Sequence, residues 1–283
     1  MTKTKTPEET LDDLLNTDVP DFIGADADPW SLEAVTSSKH YAAQRTVIYG
    51  VPGIGKTSFA ATFPKPILLR FEDGAGAIDC PTFPQVIRSM GDFRKAYKAL
   101  CGRHSFQTVI LDSLDWLEPL VQTELCRKEG KANIEAFGFG KGYTLLDTDW
   151  KKITAALDDL IERGINVVCI CHAAAVMFDP PDSDSYMTYN LKLQKRAAAI
   201  WTEWADQILF LNYHKNVVAA SDNGKGKAIG DGDRIIYTAS RPAYTAKARW
   251  PLPAEIYVGQ DVTWTAFHEA LSAATDGAYS NDK

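Results

Sequence analysis

Gly50-Val51-Pro52-Gly53-Ile54-Gly55-Lys56-Thr57 follows the short apolar run Thr46-Val47-Ile48-Tyr49 and precedes Ser58-Phe59-Ala60-Ala61. A Gly, any four residues and then Gly-Lys-Thr is the phosphate-binding loop pattern, and it is informative when a strand leads into it and a helix follows. Both flanks are present. The glycines let the backbone turn so that successive N–H groups face phosphate oxygens, and the following helix adds its positive end to the same field. Residues Gly50 to Ser58 are thus the candidate nucleotide-binding segment. Within it, Lys56 reaches the β- and γ-phosphates and the Thr57 hydroxyl holds Mg²⁺.

Working outward, Ile67-Leu68-Leu69-Arg70-Phe71 reads as a second buried strand ending in Glu72-Asp73-Gly74. An acid at the carboxyl end of a central strand lies where open α/β sheets bind their ligands. A short strand is expected near Val86-Ile87 and a helix over Asp92 to Leu100. Gln107 to Ser113 then gives four apolar or β-branched residues ending in Asp112, a carboxylate placed to bind the waters around Mg²⁺. Helices are expected from Leu114 to Lys128 and from Leu145 to Arg163, separated by the glycine-rich Gly138 to Tyr143. Ile165 to Cys171 is a further buried strand, and it delivers His172 to the same sheet edge. This strand–helix alternation predicts an α/β fold with a doubly wound, mostly parallel sheet.

Beyond His172, the Asp/Pro/Ser-rich stretch 179–185 reads as flexible, and a helix is expected through Leu191 to Asp206. Asn216 to Ala220 and Arg234 to Thr238 flank a glycine-rich connection with Lys225 and Lys227, as in a long β-hairpin. A closing helix is expected over Val262 to Ala274.

The 283 residues carry a formal charge of −7, very unevenly distributed. Residues 8–33 hold nine acids and no Lys or Arg, and without them the balance is +2, so net charge does not decide between nucleic-acid and protein partners. Residues 1–38 read as an acidic extension with a short amphipathic helix near Thr6 to Leu15, residues 39–260 as one domain, and 261–283 as a closing helix and polar tail. No charge-free apolar run approaches membrane-spanning length and no signal-peptide pattern follows Met1, which points to the cytoplasm. Five cysteines without a C-x-x-C pair indicate neither a disulfide framework nor a zinc site.

With these residues in view, positions 42 to 255 resemble the RecA-like ATPases, most closely the phage nucleotide-binding proteins described as RecA-like single-strand annealing ATPases. The resemblance rests on the phosphate-binding loop, Val109 to Ser113, the Gly140-Lys141-Gly142-Tyr143 segment, the strand ending in His172, and Lys247-Ala248-Arg249. AAA+ ATPases typically carry Glu directly after the second-motif Asp, whereas Ser113 follows Asp112. RecA-like enzymes place the catalytic Glu after the strand that follows the loop's helix, where Glu72 stands, with Asp73 as its alternative.

The resemblance implies an Mg²⁺-dependent ATPase in phage DNA metabolism, acting in the host cytoplasm, that binds single-stranded DNA and promotes annealing or recombination. Glu72 would activate water, His172 would sense the γ-phosphate, and Lys247 and Arg249 would reach a neighbouring subunit's ATP in a homo-oligomeric ring or filament. Single strands would be held by Lys131, Phe137, Phe139, Lys141 and Tyr143 in one loop. Lys192, Lys195 and Arg196 would serve at the far end of an otherwise acidic second loop. Two other readings stay open: an ATP-driven switch acting on a protein partner through the acidic N-terminal segment, and a small-molecule kinase, which lacks an Arg-rich lid here.

Overall fold

The computed structural model describes Leu32 and residues 43–74, 76, 78–214, 216–218, 227–229, 232–260 and 262–275. The helix expected near Thr6 to Leu15, the rest of the acidic segment, Lys225 and the polar tail lie outside them. The apolar runs of the sequence become strands β1 (Arg45–Gly50), β2 (Pro66–Arg70), β3 (Thr108–Asp112) and the buried first half of β4 (Asn166–Phe178). Together with β6 (Gln207–Tyr213) they form a parallel centre in the order β6-β1-β4-β3-β2. Strands covered on both faces need no polar alternation, which is why they read as continuous apolar runs.

Successive side chains point to opposite faces, so Val47, Tyr49, Leu111, Cys169, Cys171 and Phe210 enter one core while Ile48, Ile110, Ile170 and Leu209 enter the other. Helices α2 (Met90–Leu100), α3 (Leu114–Lys128), α4 (Lys141–Glu162) and α5 (Lys195–Trp204) cover the first face. There Trp150 of α4 meets Trp201 of α5 edge-on, with ring centroids 5.6 Å apart. The second face is covered by the short α1 (Lys56–Ala61) and by α6 (Trp264–Ala274). Phe59 and Phe267 are fully buried between these two helices, and each contributes on the order of 2 kcal/mol. The expected α/β class and mostly parallel sheet are thus what the chain forms.

Several local expectations are corrected. Strand β4 does not stop at His172 but runs on to Phe178 and pairs antiparallel with β5 (Tyr186–Leu191), so the stretch read as flexible is the tip of a hairpin. Helix α5 accordingly begins only at Lys195, where the Gln194 side chain accepts from the Arg196 N–H. Helix α4 starts at Lys141 rather than Leu145. Gly140 caps it at φ 71°, and Gly142 packs where a Cβ would come within 2.6 Å of the Ile134 carbonyl oxygen.

Near Val86-Ile87 there is no strand. Residues 81–87 instead cover the β2 edge, with the Leu68 N–H on the Pro81 carbonyl and the Ile87 N–H on the Arg70 carbonyl, both at 2.8 Å. The expected hairpin of Asn216 to Ala220 with Arg234 to Thr238 does not form among the described residues. Strand β9 (Arg234–Tyr237) pairs with β6, while β7 (Asn216–Val218) and β8 (Lys227–Ile229) form a separate ribbon between them. Strand β10 (Lys247–Ala248) also pairs with β6, and β11 (Glu255–Gly259), an element the sequence reading did not contain, closes the sheet beside β9. Among the described residues no helix is long and apolar enough to cross a membrane.

Candidate nucleotide-binding site

Strand β1 carries the chain to the carboxyl edge of the sheet, and Gly50 turns it there. A Cβ on Gly50 would lie 2.3 Å from the Leu211 carbonyl oxygen, so only glycine lets β1 pass this close to β6 as the loop begins. Gly53 and Gly55 adopt φ of 75° and 100°, the left-handed region that closes the loop onto α1. The Lys56 ammonium donates to the Gly50 and Val51 carbonyls at 3.1 and 3.0 Å. With only 6% of Lys56 exposed, burial pulls its pKa down, and the nearby Asp112 charge restores part of that.

The Thr57 hydroxyl donates to Asp112 Oδ2 at 2.9 Å, which joins the two halves of the motif across three strands. Burial pushes Asp112 above the usual carboxylate range, offset in part by the Thr57 hydrogen bond and by Lys56. Among the described residues no group of three or more His, Cys, Asp or Glu side chains gathers as a metal cage. One carboxylate beside one hydroxyl suits Mg²⁺, which keeps several waters and takes its remaining ligands from substrate phosphates.

Glu72 follows β2 at the same edge. Burial and the neighbouring Asp112 charge raise its pKa, and His172 acts against them. The adjacent Asp73 is exposed and pairs with Arg88, whereas Glu72 is the one of the two acids on which the charges of Asp112, His172 and Lys56 act.

The motif reading missed Asp115. Its two oxygens receive the His172 backbone N–H (3.1 Å), the His172 ring Nδ1 (2.8 Å) and the Ser113 hydroxyl (2.8 Å), and its side chain is 5% exposed. Burial opposes the Asp115 charge, but the hydrogen bonds from His172 and Ser113 outweigh it and hold the pKa below the usual value. His172 is therefore fixed by a carboxylate in the first turn of α3, two residues past the cis peptide between Asp112 and Ser113. The visible signal was an acid three residues after Asp112, at a helix start where a negative charge is favoured.

A family model described as AAA domain matches residues 42–250. The chain belongs to this AAA domain family. Among solved structures it is similar to the RadB recombinase at 13% identity with a TM-score of 0.42, an alignment covering 78% of this chain and 90% of that one. No curated protein matches. In this chain Ser113, not Glu, follows the second-motif Asp112.

The remaining expected residues divide by position. Lys247 and Arg249 stand at the opposite edge, beside the start of β6, where Lys247 pairs with Ile208. The Lys247 ammonium donates to the Thr202, Glu203 and Ala205 carbonyls at 2.9, 3.2 and 2.6 Å, and Arg249 pairs with Asp206 at 2.8 Å. Neither reaches the phosphate-binding loop of its own chain.

Of the nucleic-acid candidates, Phe139 is fully exposed, and Lys131 and Lys141 are exposed near it in sequence, with the Lys131 ammonium 6.0 Å from the Phe137 ring centre. Phe137 and Tyr143 are half-buried against the core, and the Tyr143 hydroxyl donates to Glu135 at 2.6 Å. Lys195 is exposed; Lys192 is exposed with its ammonium 3.9 Å from Asp115 Oδ2, and Arg196 is paired with Asp147.

Proposed function

We propose that this chain is an Mg²⁺-dependent RecA-like ATPase that works on single-stranded DNA in annealing or recombination, as in the phage proteins its sequence resembles. The observation that supports the catalytic half is the Thr57–Asp112 hydrogen bond, which links the end of the phosphate-binding loop to the carboxylate that would face the metal, while the charges of Asp112 and Lys56 act on Glu72. Thr57 and Asp112 would hold Mg²⁺, which when bound would supply positive charge against the β- and γ-phosphates.

Lys56 leaves the Gly50 and Val51 carbonyls for the phosphate oxygens and balances the charge of the transferring group. Glu72, whose pKa is raised, orients the attacking water and takes its proton; a base works best with a pKa near the working pH. His172, held by Asp115, presents its ring at the same edge as a γ-phosphate sensor. DNA contact is assigned to Phe139, a stacking platform, with Lys131 and Lys141 for phosphates.

The test is phosphate release from ATP with and without single-stranded DNA. Lys56→Ala should abolish release and Glu72→Gln should lower kcat about 10²- to 10⁴-fold. Full activity of Lys56→Ala would overturn the site, while neither stimulation nor low-salt binding by DNA would remove the DNA half.

One observation favours a second reading, an ATP-driven switch acting on a protein. The β4–β5 hairpin leaves Met177, Phe178 and Met187 exposed directly beyond His172. Its tip carries Asp179, Asp182 and Asp184, charges that suit a protein surface better than DNA phosphates.

A further inference from the structure

The phosphate-binding loop has two flanks. On one lie β4 and β3, bearing His172 and Asp112, with Glu72 following β2; this is the end at which the γ-phosphate and its metal belong. On the other lie β6 and β9, and no motif marks a residue there. Arg234 stands on that flank, at the end of β9 paired with Tyr213. Its guanidinium carbon lies 6.0 Å from the Tyr213 ring centre, and one terminal nitrogen donates to the Gln260 carbonyl. Its Nε is hidden from water with no hydrogen-bond partner. That same Nε would be 3.8 Å from a Cβ on Gly55, the last glycine of the loop.

An unpaired buried guanidinium N–H costs free energy unless something accepts from it. A nucleotide bound with its γ end towards Asp112 must lead its other end away, over Gly55 and towards β6 and β9. We propose that Arg234 is a nucleotide-binding residue of this chain, donating through Nε to the phosphate nearest the ribose. Tyr213 and the Gln260 carbonyl hold the fork in place for a charge-assisted bond. This rests on the nucleotide-site reading given above. It differs from a residue reaching across from a neighbour, because Arg234 acts within its own chain and on the part that ATP and ADP share.

The test is calorimetric binding of ADP and of a non-hydrolysable ATP analogue to wild type, Lys56→Ala, Arg234→Ala and Arg234→Lys, with the unfolding midpoint of each free protein as a check on folding. Arg234→Ala should weaken both ligands alike, by about tenfold or more. Arg234→Lys, which keeps the charge without the Nε donor, should lose several-fold and decides the matter if the alanine variant does not fold. Unchanged affinity, or a loss confined to the analogue, overturns the proposal while wild-type binding and its loss in Lys56→Ala uphold the site. Absence of binding by wild type, or full binding by Lys56→Ala, overturns the site itself and Arg234's role with it.

Discussion

Asp115 joins the start of α3 to β4 through one carboxylate, because Ser113, the His172 ring and the His172 backbone all donate to it. Its folded pKa lies below the unfolded value of about 3.9. The stability this contributes is present above about pH 4 and is lost as pH falls through the folded value. Asp115→Asn should therefore cost about 1.5–3 kcal/mol at neutral pH and flatten the acid limb of the stability profile. Urea unfolding from pH 3 to 7 measures this, and parallel profiles for the two proteins would refute it.

Gly50→Ala tests the loop's entry. The added methyl meets the Leu211 carbonyl oxygen, which is backbone and cannot swing aside. The expected loss is about 1–3 kcal/mol, read as a drop of about 2–4 °C in Tm per kcal/mol for a domain of this size; an unchanged Tm would mean that β6 yields more readily than its packing implies. Lys56, Thr57 and Asp112 were legible because each has a fixed place in a short pattern, while Glu72 stood out only by its position after β2, with Asp73 as its alternative. Asp115 and Arg234 were not, since their meaning comes from partners 57 residues away at His172 and from the antiparallel pairing of β9 with β6.

Among the elements, the parallel strands and α3 were readable from runs of like residues, whereas the β4–β5 hairpin was not. Ala173 to Phe178 follows a buried strand without a break, and the Asp-Pro-Pro-Asp that looked like a flexible stretch is the turn. The same blindness to long-range pairing hid what Lys247 contacts within its own chain. Its ammonium sits on three carbonyls at the end of α5, where the helix presents unpaired acceptors and partial negative charge. Lys247→Ala should lower stability by about 1–2 kcal/mol through loss of this cap, measured by chemical unfolding of the isolated protein. If Lys247 serves a neighbouring subunit's ATP instead, the variant will unfold as wild type does and lose turnover only in the assembled state.

At the scale of the molecule, charge decides what kind of partner the α3–α5 side accepts. Helices α4 and α5 begin beside one another, tied by Arg196 to Asp147, and the start of α5 is tied to α3 through Glu118, which accepts the Gln194 N–H at 3.2 Å. The exposed cations Lys131, Lys141 and Lys195, and Lys192 beside Asp115, lie in or next to these helices in sequence, with the exposed Phe139 between Lys131 and Lys141. Four phosphate contacts on a single strand would give a slope of about −2.8 in log K against log salt. A fourfold rise in salt should then weaken binding about 50-fold. Lys141→Ala should reduce the slope by about 0.7. Phe139→Ala should leave the slope unchanged and cost about 1–3 kcal/mol at every salt concentration, because stacking carries no counterion release. Fluorescence anisotropy with a labelled oligonucleotide separates the two effects. A slope near zero, or an unaltered affinity for Phe139→Ala, would show that this side of the molecule is not where the strand lies and would move the choice towards the protein partner suggested by the acidic, Met-bearing hairpin.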